Sequence, residues 1–376
     1  MINSPKEFDL AVVGAGILGL SCALAAARRD LKVVVIERDA RACGASVRNF
    51  GLVTVTGQDR HAIWGRARRA RAIWQEVAAK AGIPIVHEGL WVAARRPESA
   101  AVLEAFLRSE MAEGCRLLTA SAARQQCPNL RTSGLQAVLW SPHELRVESR
   151  DAIPSLADWL ARNYGVIFRW ETAVHAVEPP KLDTSRGAIY ADAAVVCPGD
   201  DLVTLFPERL AAARVSRCTL QMLRLESPGF ALPGTVMSDL SLLRYAGFAS
   251  LPEAAALRLE LQSEQGEYLR HGIHLIIAQG SDGSLIVGDS HHDTAVAGAF
   301  ADEAIYALLL DEYMSVIGQR SPAVRERWTG TYAVADDRAV LIEAPSPRSR
   351  LVLVTSGVGA STGFAVGEEV VNDLFS

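Results

Sequence analysis

The first forty residues show a strand, a small-residue turn, a helix and a second strand in direct succession. Phe8 to Val13 (FDLAVV) is an apolar run that predicts a buried strand. The segment GAGILG at residues 14–19 follows it and leads into the helix-forming residues LSCALAAARR. A second apolar run from Lys32 to Ile36 predicts another strand, which ends at Glu37. This order is typical of a parallel sheet whose first strand and helix are joined by a glycine turn.

Each glycine of this unit, and the acid at its end, has a physical role in binding a dinucleotide. Gly14 permits the tight turn, Gly16 lets the backbone approach a pyrophosphate, and Gly19 lets the helix pack closely on the strand. The N-terminus of the helix offers N–H groups and a partial positive charge to phosphates. Glu37 can accept hydrogen bonds from ribose hydroxyls, and its charge disfavours NADP. We therefore predict a dinucleotide site for NAD or FAD; the alternative is a tight turn without a ligand.

A second strand–loop–helix unit lies near the other end of the sequence. Leu351 to Thr355 is an apolar run, Ser356 to Gly363 (SGVGASTG) is glycine-rich, and Phe364 to Leu374 has helical periodicity. One glycine turn already serves NAD, whereas FAD is long enough to use two, so the pair of loops favours FAD. A glycine-rich turn without a ligand is again the alternative.

The centre of the chain supplies further pieces of the same kind. Asp151 to Tyr164 predicts a helix, and Thr172 to Glu178 (TAVHAVE) predicts a short strand. Ala188 to Cys197 is interpreted as two short strands with Ala191-Asp192 at the turn, and it runs into Pro198-Gly199.

Because these pieces are separated along the chain, both predicted domains are discontinuous. We assign residues 1–84, 143–215 and 326–376 to an α/β, Rossmann-like FAD-binding domain of the glutathione-reductase-like type. Residues 85–142 and 216–325 would form an α+β substrate domain built on an antiparallel sheet. In that domain we predict four strands, Thr219–Glu226, Leu257–Leu261, Ile273–Ala278 and Ser284–Val287. A hairpin turn at Asp282-Gly283 would join the last two. A helix is predicted over Asp302–Ile317.

Composition narrows the class of protein. The 376 residues are 49% hydrophobic and 22% charged, which predicts two or three globular domains. The net charge of -5 argues against a nucleic-acid partner. No apolar run is long enough for a membrane span. The six cysteines are scattered without a C-x-x-C pair, so we expect neither a zinc site nor a disulfide framework, and a cytoplasmic setting.

Together these motifs resemble the FAD-dependent D-amino acid oxidase-like family, which includes glycine oxidase and sarcosine oxidase. The GAGILG turn with Glu37, the TAVHAVE strand, the Cys197-Pro198-Gly199 turn and the SGVGASTGF loop carry the resemblance. The resemblance implies that FAD is contacted by Gly14, Gly16, Ile17, Leu18, Gly19, Glu37, Arg38, Ser46, Arg48, Asn49, Gly51, Val174, Pro198, Gly199, Gly357, Gly359, Ala360, Ser361, Thr362 and Gly363.

A narrower resemblance is carried by GASVRNFG at residues 44–51, GDSHH at residues 288–292 and the GASTGF segment. These are similar to a bacterial subgroup of flavin amine oxidases linked to organophosphonate breakdown. The resemblance implies oxidation of 2-aminoethylphosphonate, preferentially in its N-methyl form, to phosphonoacetaldehyde plus methylamine or ammonia.

Two departures from the family shape the expected cofactor chemistry. Some relatives attach FAD through a Cys or His, but no Cys follows Cys218 and the Ser46–Gly51 segment contains no His. We therefore expect non-covalent FAD. Sarcosine oxidases use a Lys near the flavin for the reaction with oxygen, and this chain has no Lys after Asp183. Oxygen is the favoured electron acceptor, and another acceptor stays open.

Amine oxidation by flavin removes a hydride from the carbon that bears nitrogen, so the protein mainly orients the substrate and excludes water. No catalytic acid or base is assigned. An anionic substrate needs cations, for which Arg is well suited. The candidate substrate-binding residues are Arg48, Arg244, Tyr245, His291, His292 and Tyr332.

Each candidate has a structural alternative. Arg48 could instead fix its own loop through an ion pair, and Arg244 could pair with Asp239. Neighbouring strand residues face opposite sides, so one of His291 and His292 should face the substrate; we favour His292. A metal site that uses Asp289 and Asp293 is not expected, because the spacing supplies no second ligand cluster.

Three functions remain open from the sequence. The first is oxidation of an aminophosphonate. The second is oxidation of a D- or N-methyl amino acid or a 2-hydroxy acid by the same flavin. The third is a non-catalytic nucleotide-binding module, which two glycine loops around one cofactor make the weakest of the three.

Overall fold

A computed structural model describes residues 7–298 and 300–376. Residues 1–6 of the first predicted domain segment and Ala299 of the last substrate-domain segment lie outside this range. The helices are α1 (Ile17–Ala27), α2 (Trp64–Ala81), α3 (Pro97–Phe106), α4 (Ala120–Gln126), α5 (Ser149–Tyr164), α6 (Pro207–Ala212), α7 (Ala246–Ala249), α8 (Ala254–Glu264), α9 (Gly266–Arg270), α10 (Glu303–Val316) and α11 (Gly359–Leu374).

The strands belong to two mixed sheets. They are β1 (Phe8–Val13), β2 (Val33–Ile36), β3 (Leu52–Val53), β4 (Ile85–Ala94), β5 (Arg116–Leu118), β6 (Ala137–Val147), β7 (Ile167–Arg169), β8 (Val174–Glu178), β9 (Lys181–Thr184), β10 (Gly187–Val196), β11 (Ser216–Leu225), β12 (Thr235–Ser238), β13 (Ile276–Gln279), β14 (Leu285–Gly288), β15 (His292–Thr294), β16 (Val324–Val334), β17 (Val340–Ser346) and β18 (Ser349–Val354).

The first sheet is parallel at its centre. Its order is β17-β18-β10-β1-β2-β7, with β18, β10, β1, β2 and β7 parallel to one another and β17 antiparallel at the edge. Since β1 lies between β10 and β2, the carboxyl ends of these strands meet at one edge. The glycine turn after β1 therefore lies beside the Cys197 turn after β10, as expected for ligand binding at the carboxyl ends of parallel strands.

The second sheet is mostly antiparallel. Its order is β15-β11-β14-β13-β12-β4-β6-β3, with β16 also on β11 and β5 on β6. The long β16 brings residues 324–334 from this sheet to the edge of the first, where Val334 forms a bridge with Ser356. The two sheets thus meet around the loop that precedes α11.

Most predicted elements are confirmed, and two are wrong. Leu257–Leu261 lies inside α8, because Leu257 and Leu261 are spaced by four residues and bury one face of a helix. Ala188–Cys197 contains no turn at Ala191-Asp192; instead β10 runs unbroken from Gly187 to Val196 and pairs with β9 and then β1. The domain boundaries stay a prediction.

Helices α1 and α11 pack against each other beside the first sheet. Gly367 makes the contact possible, because a Cβ atom there would lie 2.6 Å from the backbone of Ser21. Trp74 of α2 packs edge-on against Phe364 of α11 at a ring distance of 5.0 Å. Within the described ranges, no helix combines the length and apolarity that a membrane crossing requires.

Candidate active site

The turn after β1 is packed as tightly as the glycine spacing predicts. Gly14 has a φ of +101°, and a Cβ atom there would lie 2.5 Å from the carbonyl oxygen of Cys197. A Cβ atom on Gly19 would lie 1.9 Å from the carbonyl oxygen of Gly14. Any side chain at Gly19 would therefore push α1 away from the turn.

Side chains from distant segments hold the turn. The Glu37 carboxylate accepts a hydrogen bond from the Ala15 N–H at 2.8 Å. The Ser46 hydroxyl accepts from the Ile17 N–H at 2.9 Å. These contacts fix the first turn of α1, whose early N–H groups have no acceptors within the helix.

A cleft of about 680 Å³ opens between the two sheets. One side consists of residues 16–19 and the 356–361 loop, which we call the glycine wall. Another part of the lining carries polar and ionisable side chains, which we call the polar wall; its members are Arg244, Tyr245, His274, Asp289, His291 and Tyr332.

Many of the predicted cofactor contacts line this cleft. They are Gly16, Ile17, Leu18, Gly19, Ser46, Arg48, Asn49, Gly199, Gly357, Gly359, Ala360 and Ser361. Five of these twelve residues are glycines, which leave backbone accessible to a ligand, and the set contains no acidic residue. This cradle fits the pyrophosphate and ring system of a long dinucleotide.

Other predicted cofactor residues do not line the cleft. Gly14, Gly51 and Gly363 make close backbone or helix contacts, and the buried Thr362 donates its hydroxyl to Val358. The remaining ones lie around the carboxyl ends of the sheet; they are Glu37, Arg38, Val174 and Pro198. Arg38 is paired with Asp201 at 2.7 Å, so its charge already has a partner.

Arg244 is the cation of the polar wall. It follows a 3₁₀ turn at Asp239–Leu243, and its guanidinium donates a hydrogen bond to the Tyr332 hydroxyl at 3.1 Å. The alternative ion pair with Asp239 is not formed, because that carboxylate is taken by Arg96 at 2.9 Å. Although the Arg244 side chain has accessible surface, that surface faces the cleft.

Tyr332 connects the polar wall to the glycine wall. It lies on β16, is 9% exposed, and would be 3.1 Å from a Cβ atom placed on Gly357. Burial raises the pKa of its hydroxyl, which stays protonated at neutral pH. While it accepts from Arg244, its single hydroxyl proton can be donated either to the neighbouring Cys218 sulfur or toward the cleft.

A buried carboxyl lies between two histidines on the same wall. One Asp289 oxygen lies 3.1 Å from His274 Nε2, and the other lies 3.8 Å from His291 Nε2. The two imidazole rings are stacked with their centroids 5.0 Å apart. Burial raises the pKa of Asp289 to about 7, while the charge of Arg244 acts in the opposite direction. Burial also lowers the pKa of His291 to about 3.

Comparison with known proteins places this geometry in a family. A model of the family described as FAD dependent oxidoreductase matches residues 9–372. The chain belongs to this family. FAD is accordingly its cofactor, and the cradle of the glycine wall fits it.

Individual relatives of this oxidoreductase are distant. Glycine oxidase of Geobacillus kaustophilus (strain HTA426) is 26% identical over 208 residues, which are 51% of this chain. The matched region spans only 55% of that relative. The structure is similar to glycine oxidase from Bacillus cereus ATCC 14579, with a TM-score of 0.77, 15% identity and coverage of 98% and 95% of the two chains.

A third similarity extends beyond amine oxidases. L-alpha-glycerophosphate oxidase from Mycoplasma pneumoniae with FAD bound has a TM-score of 0.75 to this oxidoreductase, at 16% identity and coverage of 98% and 94%. At such identities the structural likeness shows the fold alone. The substrate must therefore be argued from the polar wall.

The structure separates the predicted substrate residues of this oxidoreductase. Arg48, Arg244, Tyr245, His291 and Tyr332 all line the cleft, and no ion pair of the Arg48 side chain is formed within the described ranges. The expectation that His292 faces the cleft is wrong. The side-chain alternation applies, but His291 is the inward residue and His292 lies against His271 at a ring distance of 5.3 Å.

Sequence reasoning missed His274 and gave Asp289 no role as a cleft residue. His274 lies in the apolar segment GIHLII, so the signal that singled out Arg244, a polar residue among apolar neighbours, was also present there. The pairing of His274 with Asp289 across two strands has no such signal, because it depends on the register of the sheet.

Proposed function

We propose that this oxidoreductase oxidises the C–N bond of a small anionic amine. The preferred substrate is N-methyl-2-aminoethylphosphonate, and 2-aminoethylphosphonate is oxidised more weakly. The products are phosphonoacetaldehyde and methylamine or ammonia, and oxygen accepts the electrons to give hydrogen peroxide. The observation that supports this is the hydrogen-bonded Arg244–Tyr332 pair in the lining of the cleft, where Tyr332 also packs beside Gly357.

The pair suits an oxyanion group on the substrate. A guanidinium presents several N–H donors in a fixed plane, which matches phosphonate or carboxylate oxygens. The Tyr332 hydroxyl adds a neutral donor beside it. Arg48, which lines the cleft without an ion-pair partner in the described ranges, would supply a second positive charge for a dianion.

The residues of the two walls divide the remaining work. The first turn of α1, Ser46, Asn49 and the 356–361 loop would hold FAD, which when bound supplies the acceptor for the hydride. The polar wall would orient the substrate carbon toward that acceptor, and the apolar Leu220 and Met222 of the cleft would exclude water.

We expect the FAD to be dissociable. Cys197 lies at the cleft, but its hydrogen bond with the neighbouring Cys22, together with burial, raises the pKa of its thiol, which therefore stays protonated at neutral pH. A protein denatured in acid should therefore release its flavin into the supernatant.

A second candidate is oxidation of a D- or N-methyl amino acid, or of a 2-hydroxy acid. A guanidinium binds a carboxylate as readily as a phosphonate, and the Geobacillus kaustophilus relative is a glycine oxidase. This candidate predicts a shorter optimal distance between anion and amine than an aminoethylphosphonate has.

One panel of substrates tests both candidates. Purified holoenzyme is mixed without oxygen with N-methyl-2-aminoethylphosphonate, 2-aminoethylphosphonate, N-methylglycine, glycine, D-alanine or glycolate, and flavin bleaching is followed at about 450 nm. The proposal expects the largest kcat/KM for the N-methyl phosphonate and identifies phosphonoacetaldehyde as its product. A larger kcat/KM for a carboxylate would contradict it and favour the second candidate.

A further inference from the structure

The polar wall contains a buried acid, Asp289, that has no role in binding the anionic group of the substrate. Asp289 is 5% exposed and lines the cleft together with Arg244. Its Oδ1 makes no hydrogen bond to a described residue, since the 3.1 Å approach of His274 Nε2 lacks hydrogen-bond geometry. A buried carboxyl oxygen without a hydrogen-bond donor is costly, so Oδ1 calls for a partner from the cleft.

The histidines beside Asp289 do not neutralise it. His291 Nδ1 lies 3.0 Å from the carbonyl oxygen of Gly272, and because a carbonyl only accepts, Nδ1 carries the hydrogen. The neutral ring then turns the lone pair of Nε2 toward Asp289. Burial lowers the pKa of His274 as well, so neither imidazole carries a positive charge at neutral pH.

The other groups that face Asp289 leave one position open. Tyr245 and Tyr332 keep their hydroxyl protons, because burial raises the pKa of both. Arg244 is the cation that faces Asp289 among the described residues, and it is oriented toward the Tyr332 hydroxyl. A positively charged group of a ligand is therefore the partner that Asp289 lacks.

We propose that Asp289 forms the ammonium subsite of the cleft: it binds the protonated nitrogen of the substrate and accepts its proton. This rests on the proposed function, in which the anionic end of the same molecule binds Arg244. The polar wall would thus recognise a zwitterion, with Asp289 beside the ammonium group of the substrate and Arg244 beside its anionic group.

The proton transfer explains how the amine becomes reactive. An ammonium nitrogen has no lone pair to form the C=N bond as the neighbouring carbon loses hydride. In the proposed step one N–H bond breaks, its electron pair stays on nitrogen, and an O–H bond forms on Asp289. His291 Nε2 lies 3.8 Å from the nearer oxygen, which is longer than a hydrogen bond, so His291 is a positioning residue that acts on the Asp289 carboxyl through packing and electrostatics.

The pH dependence of kcat/KM tests the step, measured on whichever amine the wild type oxidises best. With Asp289 as the proton acceptor, kcat/KM rises as pH increases through about 7, where the carboxyl ionises, and falls above the pKa of the amine, about 10. In Asp289→Asn the rise of kcat/KM near pH 7, the acidic limb of the profile, disappears. Instead kcat/KM increases steadily up to the pKa of the amine. At pH 7 we expect a loss of about 100-fold.

The matched control is Asp293→Asn, which makes the same oxygen-to-nitrogen replacement in an exposed acid on β15. It should retain the wild-type limb and a kcat/KM within about twofold. An Asp289→Asn variant that keeps the limb near pH 7 would overturn the assignment, even where the phosphonate preference is confirmed.

A binding experiment separates the ammonium subsite from turnover and from the choice of anion. Calorimetry on holoenzyme compares 2-aminoethylphosphonate with ethylphosphonate, and N-methylglycine with acetate. Asp289→Asn should weaken the amine of each pair at least about tenfold and leave the amine-free anion unchanged or tighter. Equal losses for both members of a pair, or a stoichiometric divalent metal in the holoenzyme as purified, would contradict the proposal.

Discussion

The glycine wall and the polar wall of the cleft are built in different ways. The glycine wall consists of backbone brought close by missing side chains, and its two segments are each continuous in sequence. The polar wall consists of side chains from separate segments, including the 3₁₀ turn before Arg244, the strand ends at His274 and Asp289, and β16. Backbone recognition is encoded locally, whereas side-chain recognition depends on the register of the second sheet.

This difference has a consequence for what each wall can tolerate. A Cβ atom at Gly19 would meet the Gly14 backbone, which cannot move without displacing α1, and a Cβ atom at Gly16 or Gly357 would press on the side chain of Ser46 or Tyr332. A changed side chain of the second wall leaves the backbone in place and alters only the charge or hydrogen bond it supplied. Substitutions should therefore affect folding and FAD content in one wall, and substrate selectivity in the other.

The largest effect is expected from Gly19→Ala. The added methyl would lie 1.9 Å from the Gly14 carbonyl oxygen, so the start of α1 must shift and the cradle for the pyrophosphate is lost. We expect a fall of at least tenfold in bound FAD, measured as the ratio of absorbance near 450 nm to that at 280 nm, together with a lower Tm. Gly65→Ala, where the methyl meets nothing within 4 Å, should be neutral or stabilising by up to about 1 kcal/mol.

Arg244→Gln should have the next largest effect, without loss of FAD. Removal of a cation that binds a desolvated anion costs about 2–5 kcal/mol, which corresponds to roughly 30- to 4000-fold in kcat/KM. Most of it should appear in KM, because the anion is bound in the ground state as well. The exposed Arg108, paired with Glu253 on the surface, is the matched control as Arg108→Gln and should change neither constant.

Tyr332→Phe should have a moderate effect. It removes the hydroxyl that accepts from Arg244 at 3.1 Å, and because the donor is a charged guanidinium this hydrogen bond contributes about 1.5 kcal/mol, or roughly tenfold in kcat/KM. The FAD content should stay unchanged, because the phenyl ring still packs on Gly357. A loss as large as that of Arg244→Gln would show that the hydroxyl itself binds the substrate.

His292→Asn should have the smallest effect, within about twofold in kcat/KM. Its ring lies against His271 outside the cleft, whereas His291 faces Asp289. His291→Asn is the inward partner of this comparison and should reduce kcat/KM about tenfold. Equal effects of the two variants would mean that the wall is less rigid than its packing indicates.

The glycine wall could be predicted from the sequence because the residues that form it also make up its recognisable motif. Gly14, Gly16, Gly19 and Glu37 are within one unit, and each has a spacing with a physical meaning. For the polar wall, sequence reasoning found Arg244 and Tyr332 but preferred His292 over His291. The alternation of side chains along a strand is predictable, but the phase is set by the register between β11 and β15, which pairs Thr219 with His292.

The errors in the elements have the same origin. Leu257–Leu261 is apolar at positions that suit a strand or a helix, and its contacts with α3 and the 3₁₀ turn at 239–243 decide for the helix. The length of β10 is likewise set by its neighbours, since β9 pairs with its first half and β1 and β18 with its second.

The packing of α11 on α1 implies an order of events during synthesis. Helix α1 emerges from the ribosome early, yet the surface that buries Ser21 and Ile17 arrives more than 300 residues later with Gly363 and Gly367. Until then the nascent chain must keep an apolar helix exposed or shielded by chaperones. Closure of this half of the molecule is therefore a late, long-range event, and a block in translation near residue 355 should yield a chain that cannot retain flavin.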